Sequence, residues 1–520
     1  MTIPFPFIPR RTIPIATSVV TTVMLLFPPA AVGADAEVPL RSTAEAQGAL
    51  VSWDEAGQTA IIEKQGHRLL VRVGAHTASL DGKPLPVTGE IHLVQDRTVV
   101  PQSVMDAFIQ AVNSGTPESR LLGRYILKNP KELGNGIRMS IGSSLTHLPG
   151  DPANVFYTTA DRGPNGSVQA GQDSRTTFPL PTYTPTIYKV ELKDGQVNVL
   201  QEIPLKLPKG TDPVTGTDQI SGVSNFPGMD ETPYDAKGEK QLPYDPYGLD
   251  TEGLAYNPQD DTFWLGEEYR PSIVHVKRDG TILERIVPAG EASLFAGAPN
   301  VPVKDLLPAV YADRIPNRGI EGVTVTPDGK WLFAVVQSPL GNPDQATGKK
   351  SRIMRILQFD LQKMAPVAEY PYVADDAKAY PGLKPSDIVV SDLYALDDHT
   401  LLVDERDKYA GDQAKLKRIY KLDLSGATNI LGRFDSAASG GKTLEQMTVA
   451  DLDRRGVVLP SKSLFLDLLK YGYPYEKIEG IAMADDQTLA VANDNDFGID
   501  NTTQTGIPSE IWLFAMGTGH

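Results

Sequence analysis

The chain has 520 residues, of which 49 are Lys or Arg and 65 are Asp or Glu, so its formal charge is −16; 41 % of its residues are hydrophobic and none is Cys. The length exceeds one ordinary domain and the hydrophobic content exceeds that of a disordered chain, so we expect at least two folded units. The lack of Cys excludes disulfides, thiolate nucleophiles and Cys-ligated metals, and the acidic balance argues against nucleic acid as a partner.

Residues 1–34 have the pattern of a secretory signal peptide. Arg10 and Arg11 precede an apolar stretch over 13–27, and a run of small residues over 30–34 follows it. The apolar stretch is shorter than the roughly 20 residues that a membrane anchor needs. We therefore predict cleavage after Ala34 and export to the periplasm, the cell surface or the medium, without stable membrane insertion.

Residues 36–115 are predicted to form a small α+β domain. Helical patterns begin after Pro39 and Pro101, where the missing proline N–H would be unpaired in any case. Short alternating segments separated by Asp- and Gly-rich turns lie between them and predict strands in hairpins. The strand segments are 49–53, 60–63, 69–73 and 78–80.

This segment resembles the copper amine oxidase N-terminal-like domain of bacterial exported proteins. The resemblance is carried by the motifs Val-Pro-Leu-Arg at 38–41, Val-Ser-Trp-Asp at 51–54, Asp-Gly-Lys at 81–83 and Arg-Thr-Val-Val-Pro at 97–101. No copper site is predicted, because His67, His76 and His92 lie on separate segments without ligand spacing. We interpret the domain as a spacer or as a module for attachment to the cell surface.

The remaining chain, 120–520, shows five groups of short strands that predict a mainly β fold, a β-propeller with five readable blades. Long loops at 163–185 and 208–249 leave room for a sixth blade, and 122–127 is expected to close the ring by pairing with 511–514. Helical patterns are found only at 444–455 and 461–471. The strand groups fall within 138–192, 250–287, 319–373, 389–422 and 477–514.

Carboxylates recur at one position of these groups. Glu252, Glu321 and Glu479 each precede a Gly at the start of a first strand, which lines the central channel of a propeller, so we expect them to converge. Like charges crowded near an axis need a cation or arginines to neutralise them. Further acidic and basic residues end the second strands. They are Asp161, Arg162, Glu267, Glu268, Arg270, Glu405, Arg406, Asp494 and Asp496.

Two interpretations of these residues remain open. Oxygen ligands without Cys and with few His favour a hard cation, Ca²⁺ before Mg²⁺ or Mn²⁺. The alternative is that each Glu-Gly pair is a turn and each acid–Arg pair a salt bridge between blades. In the loop over 493–498, Asp494 and Asp496 share a parity on an extended chain and are predicted to face one side with Glu479.

The order of these motifs resembles the phytase-like family, also described as esterase-like activity of phytase. The matching motifs are Asp-Arg-Gly at 161–163, Asp-Thr-Glu-Gly-Leu-Ala at 250–255, Asn-Arg-Gly-Ile-Glu-Gly at 317–322, Lys-Ile-Glu-Gly-Ile-Ala at 477–482 and Asn-Asp-Asn-Asp-Phe-Gly at 493–498. The resemblance implies a propeller that hydrolyses a small-molecule ester or phosphoester.

A consistent mechanism uses the acids Asp161, Glu252, Glu267, Glu321, Glu479, Asp494 and Asp496 as metal ligands. Four arginines would clamp phosphoryl oxygens, and Glu268 or Glu405 would act as the base. These arginines are Arg162, Arg270, Arg318 and Arg406. Two alternatives are a calcium-dependent, lactonase-like propeller hydrolase and a non-catalytic propeller that binds a ligand at the cell surface.

Overall fold

The computed structural model describes residues 35–437, 441–499 and 506–517, and β-strands are its main regular structure. The predicted signal peptide, 1–34, lies outside the described residues. No helix of the described chain combines the length and the apolar character that crossing a bilayer requires. The fold is mainly β, as predicted, with two helices in its N-terminal part and short helices between later strands.

The N-terminal part contains two helices, Leu40–Ala46 and Gln102–Ser114, packed on two small sheets. Leu40, Ile62, Val104 and Phe108 are buried in a hydrophobic cluster made of residues from this part alone. The three-stranded sheet has the order Glu37–Pro39, Arg97–Pro101, His92–Val94. The five-stranded sheet consists of Leu50–Asp54, Thr59–Lys64, His67–Arg72, Thr77–Leu80 and Lys83–Pro86.

Five groups of mostly antiparallel strands follow, and we number them 1 to 5 from the N-terminal side. Group 1 consists of Val155–Thr159, Thr186–Lys193 and Gln196–Pro204. Group 2 consists of Thr251–Asn257, Thr262–Glu267, Ser272–Lys277, Ile282–Pro288 and Val303–Leu307. Group 3 consists of Ile320–Val325, Trp331–Val336, Ile353–Asp360 and Ala365–Val373.

Groups 4 and 5 complete a propeller-like arrangement. Group 4 consists of Ile388–Val389, Leu393–Ala395, Thr400–Asp407, Lys417–Asp423 and Ser461–Asp467. Group 5 consists of Gly480–Asp485, Thr488–Ala492, Glu510–Met516 and Ser119–Ile126. The last of these strands comes from the start of the region and pairs antiparallel with Glu510–Met516, which confirms the predicted pairing of 122–127 with 511–514.

Hydrophobic clusters lie between successive groups and hold the ring together. Tyr157 of group 1 contacts Phe263 of group 2, with ring centroids 5.5 Å apart. Val323 of group 3 and Leu393 of group 4 are buried in one cluster with residues of group 2. A further cluster contains Ile419 of group 4 and Trp512 of group 5. Burial of apolar surface between the groups therefore stabilises the arrangement in which their inner strands meet.

One local prediction was wrong. The segment 461–471 was expected to be helical, but Ser461–Asp467 is the outer strand of group 4 and only Leu468–Tyr471 forms a 3-10 turn. Its central residues Leu464, Phe465 and Leu466 are all buried, and a short apolar run of this kind does not distinguish a buried strand from a helix. The loops left open for a sixth blade contain a small sheet of Gly166–Ala170, Asp173–Thr177 and Pro233–Tyr234.

The N-terminal part is attached to groups 3 and 4 by ion pairs. Arg352 donates to Glu63 Oε2 over 2.7 Å, and Arg72 donates to Asp453 over 2.8 Å. Asp453 belongs to the helix Val449–Arg454, which lies in the long connection between two strands of group 4. The N-terminal part thus lies on the side of groups 3 and 4 that carries this connection.

Candidate functional site

A cavity of about 380 Å³ lies where residues from all five strand groups and their connections meet. Nine carboxylates and five basic side chains line it, so the lining is acidic if all groups are ionised. Nine of the thirteen residues predicted as site residues are on its wall. They are Asp161, Arg162, Glu252, Glu268, Arg318, Glu321, Arg406, Glu479 and Asp496.

Two of the glutamates reach the cavity through β-bulges. The pairing register shifts by one residue between Thr251 and Leu254, and again between Ile320 and Gly322, so Glu252 and Glu321 lie at bulged positions. A bulge bends its strand and changes the direction in which a side chain points. The following glycines allow the close approach of the next group, because a Cβ on Gly322 would lie only 2.8 Å from Asp392 Cα.

Two sets of three carboxylates converge on one side of the cavity. In the first set, which we call triad A, one oxygen each from Asp161, Asp250 and Glu252 lie within 4.8 Å of one another. In the second, triad B, the same holds for Asp161, Asp494 and Asp496. The two triads share Asp161, and all their residues except the partly exposed Asp496 are buried.

Triad B contains a basic partner that the sequence analysis did not identify. The ammonium group of Lys477 lies 2.9 Å from Asp494, 2.7 Å from Asp496 and 3.3 Å from Glu479. The predicted extended course of this loop was wrong, since Asp496 and Phe497 have positive φ values of 47° and 56° in a 3-10 turn. Asp494 and Asp496 nevertheless meet, because both bind the same lysine.

A glutamine joins two further carboxylates of the cavity wall. Gln337 Nε2 donates to Glu321 Oε1 over 2.6 Å and to Glu268 Oε1 over 3.2 Å. Glu321 is only 2 % exposed, and its other oxygen, Oε2, has no hydrogen-bond partner among the described residues. A buried carboxylate oxygen without a partner is costly, so this atom marks a place where a donor or a cation would be favourable.

Burial and mutual repulsion raise the pKa of several of these acids. Burial and the neighbouring Glu479 raise the pKa of Glu321 to about 8. Burial, with Glu321 and Asp250 adding to it, raises the pKa of Glu268 well above its usual value. Burial also acts to raise the pKa of Asp494, but Lys477 and hydrogen bonds from Asp496 together lower it. Lys477 thus favours the ionised form of Asp494, whereas burial and like charges favour the protonated forms of Glu321 and Glu268.

The basic residues differ in how tightly the protein holds them. Arg162 lies 4.0 Å from the ring of Tyr269 and donates to its hydroxyl, and Arg406 donates to Glu479 Oε1 over 2.7 Å. Arg318 donates to the carbonyl of Ser386, and Lys408 pairs with Asp387 while its side chain is 52 % exposed. Arg318 and Lys408 are thus the basic groups best placed to meet an incoming anion.

Three residues predicted to act at the site are not on the cavity wall. Glu267 pairs with Arg285 over 2.6 Å, and Arg270 donates to the carbonyls of Asn225 and Asp245. Glu405 binds Lys462 over 2.7 Å and the Tyr372 hydroxyl over 2.6 Å. Neighbouring residues of an extended chain point to opposite sides, so the cavity receives Glu268 and Arg406 while Glu267 and Glu405 face away from it.

The fourth predicted residue that is not on the cavity wall is Asp494, which contacts the cavity through Lys477.

Several functional candidates were missed by the sequence analysis. Asp250, Asn317 and Lys477 stand inside the motifs that carried the family resemblance, so the motifs could have indicated them. Gln337, Asp387 and Lys408 lie just beyond strand ends in no such motif, and only the fold brings them to the cavity.

The fold and this cavity define a mainly β, propeller-like protein with a buried acidic site where its strand groups meet. The chain belongs to the phytase-like family, described as esterase-like activity of phytase, whose model matches residues 142–497. The model of the copper amine oxidase N-terminal domain matches residues 21–116. Both resemblances identified from the sequence are confirmed.

One curated relative is an uncharacterized secreted protein of Arthroderma benhamiae. It is 28 % identical over 248 residues, which are 42 % of this chain and 47 % of that protein. The chain thus spans about half the length of the curated relative that it matches.

Similar solved structures include the PQQ-bound aldose sugar dehydrogenase of Streptomyces coelicolor, at 15 % identity and a TM-score of 0.32, covering 77 % of this chain and 99 % of that one. The glutaminyl cyclase of Myxococcus xanthus is 7 % identical with a TM-score of 0.31, covering 77 % and 98 %. A luciferin-regenerating enzyme is 9 % identical with a TM-score of 0.31, covering 77 % and 97 %.

Proposed function

We propose that the protein is an exported, metal-dependent esterase or phosphoesterase whose active site is the acidic cavity, and that the five strand groups are five propeller blades. The observation that carries the proposal is the meeting of nine carboxylates and five basic groups in one cavity, contributed by all five groups. Membership of the phytase-like family and the name of the secreted relative support an exported enzyme.

We also propose that the N-terminal part attaches the protein to the cell surface.

The residues of triad A suit a hard divalent cation, Ca²⁺ before Mg²⁺ or Mn²⁺. Their donors are carboxylate oxygens, which these ions prefer, and the unpartnered Oε2 of Glu321 lies on the same cavity wall. When bound, such a cation would polarise a phosphoryl or acyl oxygen and offset the charge of the acids. Asp161, Asp250 and Glu252 would hold it.

Arg318, Lys408 and Arg406 would bind and orient the anionic group of the substrate. Arg318 and Lys408 lie on loops that border the cavity, and Arg406 faces it from a strand of group 4. Their charges favour a substrate with a phosphate or carboxylate group over a neutral one.

Glu268 is the side chain best suited to exchange a proton with the substrate or with water. Gln337 Nε2 donates to Glu268, and the raised pKa of Glu268 favours a protonated form that can donate a proton. Glu405, the other base predicted from the sequence, is bound to Lys462 away from the cavity and is not part of this proposal.

The test is the release of phosphate and of acyl products from a panel of esters by the metal-stripped full chain, with Ca²⁺, Mg²⁺ or Mn²⁺ added or withheld. We expect turnover to need a divalent cation and Glu268→Gln to lower kcat by at least about 100-fold. Glu202→Gln is the matched control, since Glu202 lies on an outer strand with its side chain 43 % exposed.

Full activity in excess chelator, or wild-type kcat in Glu268→Gln, would contradict the proposal. Turnover of sugar lactones, without release of phosphate or acyl products from any ester, would favour the lactonase-like alternative. Ligand binding at the cavity without turnover of any ester or lactone would favour a binding protein.

A further inference from the structure

Lys477 occupies the position that a second metal ion would take. Its ammonium group lies within hydrogen-bond distance of Asp494 and Asp496, two of the three members of triad B, and close to Glu479. Its side chain is 19 % exposed, and the two aspartates also hold each other's position through the Asp496 N–H, which donates to Asp494. An ammonium group so placed offsets part of the negative charge of triad B and disfavours a cation there by repulsion.

Triad A has no comparable partner. Among the residues that the structure describes, neither Asp161 nor Glu252 has a basic side chain within 4.0 Å, and Asp250 has only the Arg162 Nε at 3.5 Å. Glu252 is 7 % exposed and Asp250 is 2 % exposed, so solvent does little to separate their charges. The partnerless Oε2 of Glu321, on the same cavity wall, is an independent sign of a missing cation or donor.

We propose that the cavity is built for one divalent cation and one lysine: the cation binds triad A, and Lys477 serves as a fixed second cation at triad B. This inference rests on the proposed function for the identity of the site, but it predicts a binding stoichiometry that can be measured without a substrate. It also predicts that a single substitution converts the site into one for two metal ions.

The experiment is a calorimetric titration of the metal-stripped full chain with Ca²⁺ alone. We expect one Ca²⁺ per wild-type chain and two per chain in Lys477→Met, which keeps an unbranched side chain of similar length but removes its charge. Triad A should also bind Ca²⁺ at least about tenfold more tightly in this variant, because the positive charge of Lys477 near the shared Asp161 has been removed. Lys408→Met is the matched control, since it removes a lysine from the same cavity but not from triad B, and it should bind one Ca²⁺.

A second pair of variants decides the question if Lys477→Met does not fold. Asp250→Asn, in triad A only, should abolish the binding of Ca²⁺, whereas Asp496→Asn, in triad B only, should leave one Ca²⁺ per chain. Two Ca²⁺ per wild-type chain, one per chain in folded Lys477→Met, or the reverse effects of the two aspartate variants would overturn the inference.

The outcomes also separate this inference from the proposed function. One Ca²⁺ in the wild type and two in Lys477→Met, without hydrolysis of any ester, would reject the proposed function and leave the inference standing. If the wild type hydrolyses an ester in a cation-dependent way but binds two Ca²⁺, the inference is rejected and the proposed function stands.

Discussion

At the scale of single residues, the side of the strand on which an acid lies decides what it does. Glu267 and Glu268 are adjacent, as are Glu405 and Arg406, but only Glu268 and Arg406 reach the cavity. Their neighbours are buried in ion pairs with Arg285 and Lys462. Breaking a buried ion pair leaves an uncompensated charge and is strongly destabilising.

We therefore expect Glu405→Gln to destabilise the protein without removing a catalytic group. The substitution leaves Lys462 with a weaker acceptor in the interior, so the free energy of unfolding should fall by roughly 3 kcal/mol. Urea denaturation measures this loss, and kcat of the folded fraction should stay within about twofold of the wild type. A loss of kcat as large as that expected for Glu268→Gln would show that Glu405 acts in the active site.

At the scale of elements, the ring depends on a strand that is distant in sequence from its sheet. Ser119–Ile126 supplies the outer strand of group 5 by pairing with Glu510–Met516, although almost 400 positions separate them. Arg124 adds an ion pair with the buried Glu510 at 3.0 Å. The strand also contacts group 1 through a parallel bridge between Ile126 and Gln196.

Two truncations that differ by this one strand should behave differently. A fragment that begins at Pro117 keeps the strand, and we expect it to fold and to retain the activity of the full chain, because the N-terminal part contributes no residue to the cavity wall. A fragment that begins at Leu127 leaves the edge of Glu510–Met516 unpaired and should aggregate or unfold. Circular dichroism and size-exclusion chromatography compare the two, and a folded, inactive Pro117 fragment would show that the N-terminal part contributes to the site.

At the scale of the whole molecule, one partly buried glutamate connects the N-terminal part to the strand groups. Glu63 accepts from Arg68 of its own sheet and from Arg352 of group 3's long connection. Burial acts to raise the pKa of Glu63, but Arg352 and Arg68 outweigh it and lower the pKa from 4.5 to about 2. A carboxyl whose pKa is lower in the folded state stabilises that state when it is ionised.

The stabilisation by Glu63 should therefore be complete above about pH 5 and should disappear as the pH falls from 4.5 towards 2. We expect Glu63→Gln to lower the free energy of unfolding by up to about 3 kcal/mol at pH 7, and the difference from the wild type to vanish near pH 2. Urea denaturation at a series of pH values measures this difference. Glu45→Gln, an exposed change on the helix Leu40–Ala46, is the control, and a difference that is independent of pH would contradict the assignment.

The sequence by itself determined the mainly β class, the five groups of strands, the pairing of the two ends of the ring, the phytase-like family and the match of the N-terminal part to the copper amine oxidase N-terminal domain, because alternation, turn residues and motif order are local features. It also indicated that Glu252, Glu321 and Glu479 would converge, since equivalent positions of repeated units meet around an axis. The tertiary structure alone decided which neighbour of each charged pair faces the cavity, because a β-bulge or a turn changes that direction by one residue without a visible signal. It likewise decided that Lys477 lies among Glu479, Asp494 and Asp496, since the direction of a long side chain depends on the charges that the fold places around it.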